Sequence, residues 1–478
     1  MSDVRHCVVI GGGITGLTAA HRLLRSSQPL RVTLLEADRR LGGHVRTEAF
    51  AGRCVDVGAE ALLARVPEAA AICRELGLGE RLVAPATDRP YVWTGGRLRP
   101  LPPGLLTGLP DGAGVLVRSR ILSPAGLARA GLDLVVPSRP VRSDIAIGSL
   151  VRRRLGHEVH DRLVDPLLGG IHAGSCDDLS LRAVAPMLTQ ASGSGRGLVR
   201  GLRRLGARSP GSPIFLGLVG GLGELVTALA DAIGEGGARA DGGSAELRRG
   251  AAVEGLEPLD AGRVRIVLVG GEQEIADAVL LATPAFDTAR IVQDASPATA
   301  AWLRRIDYAS VGTILLEYPL AALPGPLAGS GFLVPRAEGR TLTACTWSSA
   351  KWAHLSGATA LLKASVGNAR DASALEFDDD RLIARVHGEL SEAMGLRGEP
   401  LQAAVWRFER ALPQYRVGHL ERVAAIEDQL SRLGAIRATG AALRGVGVAS
   451  CIRAAQAAAD ELAGHLSAAR ERAPTIAT

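Results

Sequence analysis

Short apolar runs alternate with a helically spaced segment near the start of the chain. Residues 7–10 and 32–35 are largely apolar runs of the length that a buried strand requires, and residues 17–24 between them have helical spacing. Residues 67–76 show helical spacing again and end at Gly77, a residue type that favours helix ends. The pattern predicts a strand–helix–strand unit of the kind found in parallel α/β sheets.

Later segments predict further strands and helices. An apolar run at residues 278–282 and a strand at 435–438, followed by a helix over about 450–466, are expected to return to the N-terminal sheet. Within a largely helical insertion, residues 164–174 are predicted to form a glycine-rich turn. Strands of other, mainly antiparallel sheets are predicted at residues 251–256, 263–269, 309–317, 330–334 and 341–346.

Three glycines follow the first predicted strand at a spacing typical of phosphate-binding turns. Gly11, Gly13 and Gly16 have the G-x-G-x-x-G spacing, and a helix is predicted directly after them. Such glycines provide a tight turn, close approach of backbone to a pyrophosphate, and close packing of helix on strand. Glu36 follows about 20 residues later, where a carboxylate binds ribose hydroxyls. We predict a dinucleotide site; the alternative is a glycine-rich turn in another α/β unit.

Two further glycine clusters indicate which dinucleotide is bound. Gly42 and Gly43 follow the ribose acid closely, which a protein holding FAD in an extended pose needs and an NAD dehydrogenase does not. Near the other end of the chain, Gly445 and Gly447 precede the last predicted helix. The N-terminus of that helix can approach a flavin ring and stabilise negative charge on it. The sequence therefore predicts non-covalent FAD.

Length, cysteine usage and charge narrow the class of protein. At 478 residues the chain is too long for one core, so two or three domains are expected. Six scattered cysteines without a C-x-x-C pair fit a reducing compartment and predict no metal site. No apolar run has the ~18–20 residues of a membrane span, which predicts a cytoplasmic protein with peripheral membrane contact left open. The mild net charge of +6 favours an acidic ligand or membrane surface over nucleic acid.

Almost all basic residues are arginines. Lys351 and Lys363 are the only lysines in the chain. Arginine suits bidentate recognition of carboxylates, although codon bias in a GC-rich genome would produce the same excess. Residues 179–223 contain no acid but six arginines, namely Arg182, Arg196, Arg200, Arg203, Arg204 and Arg208. This stretch is either a solvated loop or a basic surface for anionic lipid or a carboxylate-rich substrate.

Segments along nearly the whole chain resemble the FAD-dependent porphyrinogen oxidases, a family that comprises protoporphyrinogen oxidase and coproporphyrinogen III oxidase. The glycine-containing segments at residues 11–16, 36–47 and 440–458 are also shared with amine oxidases and carotene desaturases. The segments that are specific to the porphyrinogen group are Gly-Phe-Leu-Val-Pro at 331–335, Ser-Ser-Ala-Lys-Trp at 348–352 and Leu-Pro-Gln-Tyr-Arg-Val-Gly-His at 412–419.

The resemblance implies an α/β fold, α+β overall, with three lobes. A discontinuous Rossmann-like FAD-binding domain of the flavin amine oxidase type is expected to comprise residues 1–82, 215–290 and 435–470. Residues 291–434, with parts of 83–105, are expected to form an antiparallel-sheet substrate-binding domain. Residues 106–214 are expected to form a helical domain, a lobe that contacts the membrane in many relatives.

The resemblance also implies site residues. For the substrate it implies Arg65, which would bind a carboxylate, and Gly169 and Gly170, whose carbonyls would lie near pyrrole N–H groups. His44 and Val66 depart from the residues that relatives often carry, so the role of His44 is left open. FAD contacts are implied for Gly11, Gly12, Gly13, Ile14, Thr15, Gly16, Glu36, Ala37, Arg40, Gly43, His44, Gly58, Ala59, Val253, Val446, Gly447 and Val448.

The activity that the resemblance implies is oxidation of a porphyrinogen to a porphyrin, with hydride transfer to flavin N5 and peroxide as the by-product of reoxidation by oxygen. The pyrrole nitrogens shed the protons, so no dedicated acid–base pair is required and we assign no catalytic residue. We predict coproporphyrinogen III of haem biosynthesis as the substrate, because the arginine excess suits four carboxylates. Protoporphyrinogen IX is the alternative. A flavin amine oxidase, a carotenoid-type desaturase and a non-catalytic flavoprotein are more distant ones, and monomer and homodimer both stay open.

Overall fold

A five-stranded parallel sheet forms the first large element of the structure. The computed structural model describes residues 4–102, 109, 117, 119–137, 140–193, 197–205, 213–234 and 242–472. In spatial order the strands of the parallel sheet are Ser244–Arg249, Leu30–Glu36, Arg5–Ile10, Ala278–Leu281 and Ile436–Ala438. All neighbouring pairs run parallel, so strands from distant parts of the chain share one carboxyl-terminal edge.

Both faces of the parallel sheet are covered, as its apolar strands require. Cys7 and Val9 belong to the core on one face, whereas Val8 and Ile10 belong to the core on the other. Helices on the first face are Ile14–Leu24, Pro67–Glu75, Gly223–Gly234 and Val448–Arg472. The second face carries a small antiparallel sheet and three helices, namely Val253–Pro258, Val264–Leu268, Gln273–Ala276, Ala285–Ile291, Pro297–Leu303 and His419–Ser431.

A seven-stranded sheet forms the second large element. Its strands in spatial order are Gln402–Pro413, Tyr308–Pro319, Thr359–Val366, Leu342–Trp347, Gly331–Leu333, Pro90–Thr94 and Arg97–Pro100. The sheet is antiparallel as predicted, with one parallel pair, Gly331–Leu333 with Pro90–Thr94, that the sequence did not indicate. That pair joins distant parts of the chain, so no hairpin dictates its direction.

Helix Asp379–Met394 packs on the seven-stranded sheet. Asp378 caps its start, because the carboxylate accepts the backbone N–H of Arg381 at 2.8 Å. Gly395 ends the helix in the left-handed conformation at φ +69°. Buried side chains recur every four positions on the face that meets the sheet, at Leu382, Val386 and Leu390.

Shorter elements connect the two sheets. A hairpin of Thr47–Phe50 and Arg53–Asp56 packs against Leu315 and Leu361 of the seven-stranded sheet. A small sheet consists of Leu62–Leu63, Phe215–Leu218 and Leu82–Val83. Single helical turns are Gly79–Arg81, Leu132–Leu134, Asp260–Gly262, Leu320–Ala322, Arg336–Glu338, Ser348–Lys351, Ala353–Leu355 and Ser373–Glu376.

The described residues between 124 and 204 are largely helical and build a lobe around a core that also includes Val92 of the seven-stranded sheet. Its helices are Pro124–Gly131, Ile147–Leu155, His157–Val159, Leu181–Val184, Pro186–Ser192 and Leu198–Arg204, with a π-helix His160–Gly169 that continues into Gly170–His172. Arg154 and Asp133 form a buried ion pair inside this lobe. Among the residues that the structure describes, no helix combines the length and hydropathy that a membrane crossing requires. The domain boundaries given above stay a prediction.

The prediction of a glycine-rich turn at residues 164–174 is wrong for most of these residues. The chain is helical through Gly169 and Gly170 and reverses only at Ala173, whose φ is +44°. Packing outweighs the low helix propensity of glycine here. The helical path buries three apolar side chains in the core of the lobe, Leu163, Val164 and Leu168.

The acid-free arginine stretch falls partly outside the described residues, which exclude Arg196 and Arg208. Three of its other arginines are exposed on helix Leu198–Arg204, at Arg200, Arg203 and Arg204. This exposed helix face is compatible with both interpretations of the arginine stretch, a solvated surface and a basic surface that binds an anionic ligand.

Candidate functional site

The glycines after strand Arg5–Ile10 let the next helix start close to the strand end. Gly11 has φ +108°, which residues with side chains rarely adopt. A Cβ atom at Gly16 would lie 1.8 Å from the carbonyl oxygen of Gly11, so only glycine permits this packing. Gly13 has φ −70°, and apart from Gly13 and its two chain neighbours no atom of the described residues lies within 4 Å of its Cβ position. The space beside Gly13 suits close approach of a phosphate to the backbone.

Helix Ile14–Leu24 begins without a side-chain cap. Within the described part of the chain, no side chain caps its first amides, and its first turn holds no acid. The first amides of an α-helix have no acceptor inside the helix, and the helix dipole adds partial positive charge there. Ile14 and Thr15 therefore offer backbone N–H groups to an anion such as a pyrophosphate.

Glu36, the predicted ribose ligand, is fixed beside the glycine turn. Its Oε2 accepts the N–H of Gly12 at 2.5 Å, and its Oε1 accepts the N–H of Asp38 at 2.8 Å. The residue is half-buried, and its carboxylate has lone pairs left for hydroxyl donors. The N–H of Ala251 donates to the backbone carbonyl of Glu36 at 2.8 Å, so the segment that leads into strand Val253–Pro258 starts beside the strand that ends at Glu36.

A second glycine segment lies against the first. The N–H of Gly42 donates to the carbonyl of Gly12 at 2.8 Å, and a Cβ atom at Gly43 would lie 3.4 Å from the Cα of Gly13. Arg40 wraps its guanidinium around this segment and donates to the carbonyls of Leu41, Gly43 and Val45. Arg40 therefore holds the loop in shape, while Ala37 lies exposed on the same connection.

His44 and Gly58 bring a third segment to the same place. A Cβ atom at Gly58 would lie 2.0 Å from the carbonyl oxygen of His44, to which the N–H of Ala59 donates at 3.4 Å. The His44 ring meets Phe408 edge-on, with 6.1 Å between ring centroids. The pKa of His44 is lowered, mainly because surrounding protein desolvates the ring and to a lesser extent because Arg40 is positively charged. The residue as a whole is nevertheless solvent-exposed. The lowered pKa favours the neutral form of the imidazole.

The glycine turn near the C-terminus reaches the same edge. Helix Val448–Arg472 follows a strand of the parallel sheet and packs against the first helix of the chain, so both helices start at the carboxyl-terminal edge. Tyr415 holds the turn, because its hydroxyl donates to the carbonyl of Ala441 at 2.6 Å and accepts the N–H of Gly445 at 2.9 Å. Gly447 has φ +93° and leads into the helix. Segments far apart in sequence thus meet at one edge.

The predicted substrate residues lie in two different elements. Arg65 follows the small sheet, is exposed, and has no ion-pair or hydrogen-bond partner among the described residues. Gly169 and Gly170 lie in the helical lobe, the first buried and the second exposed. Their carbonyls accept the N–H groups of Gly174 at 2.9 Å and of Ala173 at 3.2 Å. Each carbonyl thus accepts one backbone hydrogen bond and keeps a second lone pair, so its approach to a pyrrole N–H stays a prediction.

Two buried histidines near the turn at Tyr415 are not poised to act as bases. Burial lowers the pKa of His172 and of His419 to about 4. Nε2 of His419 lies 2.8 Å from the carbonyl oxygen of Leu443, and its ring stacks on Tyr415 with 3.8 Å between centroids. These contacts fit a structural role for His419.

A charged cluster next to Gly58 is a feature of the structure that sequence reasoning missed. Lys351 pairs with Oε1 of Glu60, and Nζ of Lys363 lies 3.2 Å from Oε2 of the same carboxylate. Burial raises the pKa of Asp56 to about 6. Burial alone would raise the pKa of Glu60 as well, but the two lysines lower it to about 2. The rarity of lysine was the one signal that could have drawn attention to these positions.

Comparison with known proteins agrees with this arrangement. Residues 14–463 match the model of the family described as flavin containing amine oxidoreductase. The chain is 32% identical to the coproporphyrinogen III oxidase of Bacillus subtilis (strain 168), over 98% of this chain and 100% of that protein. It is 37% identical to the coproporphyrinogen III oxidase of Mycobacterium tuberculosis (strain ATCC 25618 / H37Rv), over 95% and 96%. It is 30% identical to the protoporphyrinogen oxidase of Homo sapiens, over 96% and 98%.

Solved structures show the same fold. A structure from Exiguobacterium sp. 255-15 has a TM-score of 0.85 and 29% identity, and the match covers 96% of this chain and 99% of that one. The cyclohexylamine oxidase from Brevibacterium oxydans IH-35A has a TM-score of 0.69 and 16% identity over 97% and 100%, which shows the fold alone. The predicted amine oxidase fold and the resemblance to porphyrinogen oxidases are confirmed. The chain belongs to the flavin-containing amine oxidoreductase family.

Proposed function

We propose that the chain is an FAD-dependent oxidase that converts coproporphyrinogen III to coproporphyrin III in haem biosynthesis. The observation that carries this proposal is its similarity, over nearly the whole chain, to proteins named coproporphyrinogen III oxidase at 29% to 37% identity. Similarity over the full length includes the segments around the carboxyl-terminal edge as well as both sheets.

The residues at this edge fit FAD as the cofactor. The open space at Gly13 and the uncapped helix start would receive the pyrophosphate, and Glu36 the ribose. The loops at residues 42–44 and 58–59 and the turn at 446–448 would line the flavin end. When bound, FAD supplies the acceptor for hydride, and molecular oxygen takes the electrons on to peroxide.

The residues near the turn at Tyr415 orient the reactants rather than exchange protons. His172 and His419 stay neutral at pH 7, because burial lowers the pKa of each to about 4. Burial also raises the pKa of the Tyr415 hydroxyl, which is already engaged at the glycine turn. The pyrrole nitrogens of the substrate would therefore release their own protons, and we assign no catalytic acid or base.

Arg65 supports a carboxylate-rich substrate. It is exposed and unpaired among the described residues, so its guanidinium is available for a charge-assisted pair. We expect Arg65→Ala to raise KM for coproporphyrinogen while the flavin stays bound, since the lost contact binds substrate and transition state alike. Arg263→Ala, at an exposed arginine directly before strand Val264–Leu268, is the matched control and should leave KM unchanged.

The deciding experiment compares kcat/KM for coproporphyrinogen III and protoporphyrinogen IX with FAD-loaded protein, using porphyrin fluorescence. We expect the higher value for coproporphyrinogen III, and no peroxide from amines. A preference of about tenfold for protoporphyrinogen IX, which corresponds to about 1.4 kcal/mol, would overturn the assignment. Protoporphyrinogen oxidase would then stand, the second candidate that the 30% identity to the human protein supports.

Weak peripheral contact with an anionic membrane is part of the proposal. Helix Leu198–Arg204, with its exposed arginines, packs next to the turn Leu132–Leu134. Exposed apolar side chains lie there too, at Leu132, Leu134, Val135 and Val136. We expect sedimentation with phosphatidylglycerol vesicles at low salt and release at high salt, because exposed charges are screened. Failure to sediment at low salt would contradict this part alone.

A further inference from the structure

Both lysines of the chain bind one carboxylate, in a protein whose other strongly basic side chains are all arginines. Lys351 ends the short helix Ser348–Lys351, and Lys363 lies within strand Thr359–Val366. Two separate elements thus bring an ammonium group to Glu60. The excess of arginine over lysine in the chain therefore does not extend to the two positions that contact Glu60.

Lys363 satisfies the full donor capacity of its ammonium group on one short segment. Its Nζ donates to the carbonyls of Asp56 at 2.7 Å and Gly58 at 2.9 Å, and lies 3.2 Å from Oε2 of Glu60. An ammonium group has three donors that can point in different directions, whereas the donors of a guanidinium lie in one plane. Arginine therefore cannot reproduce this set of contacts.

The position of Lys363 is costly for a charge. Its side chain is buried and points to the same face of the strand as Leu361, which packs with Leu315 against the apolar side of the hairpin. Burying a cation costs desolvation energy that an apolar side chain of similar size would avoid. Packing of the hairpin on the sheet therefore does not explain why position 363 is a lysine, since an apolar side chain would pack there at lower cost.

The segment that Lys363 holds is part of the candidate cofactor site. Gly58 fits against the carbonyl of His44 and Ala59 donates to the same oxygen, so the two loops are locked together. Lys363 itself belongs to the seven-stranded sheet, which lies in the predicted substrate domain. Its three contacts therefore run from that sheet directly to residues 56–60, and Gly58 and Ala59 pass this contact on to His44.

We propose that Lys363 is a positioning residue that, through Glu60 and Lys351, fixes residues 56–60 and thereby aligns the flavin-side loops with the sheet that carries the substrate. This inference rests on the proposed function for the identity of the reactants. Lys351 has the lesser role. It neutralises Glu60 at the edge of the cluster, with its ammonium group 5.1 Å from the ring centroid of Trp352.

The test compares Lys363→Met and Lys363→Arg with a matched control, Arg53→Met. Arg53 also joins the hairpin to the seven-stranded sheet, through Thr359 at 2.9 Å and Glu317 at 3.7 Å, and its side chain is largely buried. It does not contact residues 58–60. If the substitutions only weaken the packing of the hairpin on the seven-stranded sheet, all three variants should be affected. If Lys363 positions residues 56–60, only the two Lys363 variants should be affected.

Two readouts are measured on FAD-loaded protein. The first is independent of turnover: the rate of FAD release, followed by flavin fluorescence, together with the visible circular dichroism of the flavin. The second is kcat and KM for coproporphyrinogen III. We expect both Lys363 variants to release FAD faster and to lose kcat by about tenfold or more, with a smaller change in KM, because small misplacement of reactants lowers kcat strongly. Arg53→Met should lower thermal stability but keep FAD release and kcat near wild type.

Wild-type FAD release and kcat in both Lys363 variants would overturn the proposal, as would equal effects in Arg53→Met. Rescue by Lys363→Arg would also contradict it, since a planar guanidinium would then suffice. If Lys363→Met does not fold, Glu60→Gln decides: it keeps the shape, removes the ion pairs, and is expected to speed FAD release. A wild-type protein that oxidises neither porphyrinogen would refute the proposed function alone, because the FAD-release comparison still tests the lysine.

Discussion

Two glycine-containing segments look alike in sequence and differ in structure. The segment at residues 11–16 is an open turn in which Gly11 has positive φ and Gly16 allows a helix to touch a strand end. Gly169 and Gly170, by contrast, continue a helical path with ordinary helical dihedral angles. The flanking residues decide the difference. A buried strand precedes the first segment, whereas apolar side chains of the lobe core precede the second.

The comparison teaches that a glycine marks a site only where its neighbours require its lack of a side chain. At Gly16 no other residue fits, because a carbonyl oxygen occupies the Cβ position. At Gly170 the nearest atom to a Cβ position is 4.0 Å away, on Leu333, so the backbone and the core do not demand glycine. Substitutions at four glycines can break or sharpen this distinction.

Gly16→Ala should have the largest effect. Its Cβ would lie 1.8 Å from the backbone oxygen of Gly11, so the helix must move away from the strand. We expect the protein to lose about 3 kcal/mol of stability or more and to purify without flavin. Thermal unfolding and flavin absorbance measure both losses. A variant with wild-type melting temperature and flavin content would show that the packing at this turn is not as tight as described.

Gly13→Val should abolish FAD binding without unfolding the protein. The backbone at Gly13 has φ −70°, which valine adopts, and apart from Gly13 and its two chain neighbours no atom of the described residues lies within 4 Å of its Cβ position. A branched side chain there would take the space proposed for the pyrophosphate. The expected result is a colourless protein whose melting temperature equals that of the wild-type apoprotein. Normal flavin content would place the phosphates elsewhere.

Gly169→Ala should destabilise moderately. A Cβ atom there would lie 2.9 Å from the carbonyl oxygen of Gly174 and 3.2 Å from Oδ1 of Asp165, so the reversal after the helix must adjust. We expect a loss of about 1–3 kcal/mol, typical of overpacking, with FAD still bound. Calorimetry of the holoprotein measures it. Loss of flavin instead would mean that the helical lobe supports the cofactor site.

Gly170→Ala should have the smallest effect on stability, and it should stabilise the protein where Gly16→Ala and Gly169→Ala destabilise it. Gly170 is exposed in a helical conformation with room for a methyl group, so alanine should stabilise by about 0.5–1 kcal/mol. If the substrate approaches this residue closely, as predicted, kcat/KM for coproporphyrinogen should fall at the same time. A stabilised variant with unchanged kcat/KM would remove Gly170 from the substrate site.

Local patterns in the sequence predicted the core of the parallel sheet well. The predicted strand at residues 7–10 is observed as Arg5–Ile10, and Glu36 stands at the end of the second strand as expected. The edge strand Ser244–Arg249 escaped prediction because its Ser-Ala-Glu-Leu-Arg-Arg sequence has little β propensity, and pairing with Leu30–Glu36 overrides that.

Contacts between distant segments could not be predicted from local patterns. Lys351 and Glu60 are 291 positions apart, so no spacing rule relates them. The long strand Gln402–Pro413 was missed for a related reason, since its pairing with Tyr308–Pro319 shifts register at Ala309 and Val311 and interrupts simple alternation. The Lys351–Glu60 pair and strand Gln402–Pro413 thus depend on contacts with residues far away in the sequence, which local periodicity does not indicate.

The order of strands in the parallel sheet has a consequence for how the protein is made. The central strand Arg5–Ile10 is translated long before Ile436–Ala438 and helix Val448–Arg472, which complete the same edge. Strand Arg5–Ile10 can pair with Leu30–Glu36 early in synthesis, whereas its other neighbour, Ala278–Leu281, is translated much later. A half-paired apolar strand of this kind is prone to misassembly. We therefore expect a chain truncated before residue 436 to lack a complete edge and to retain no flavin.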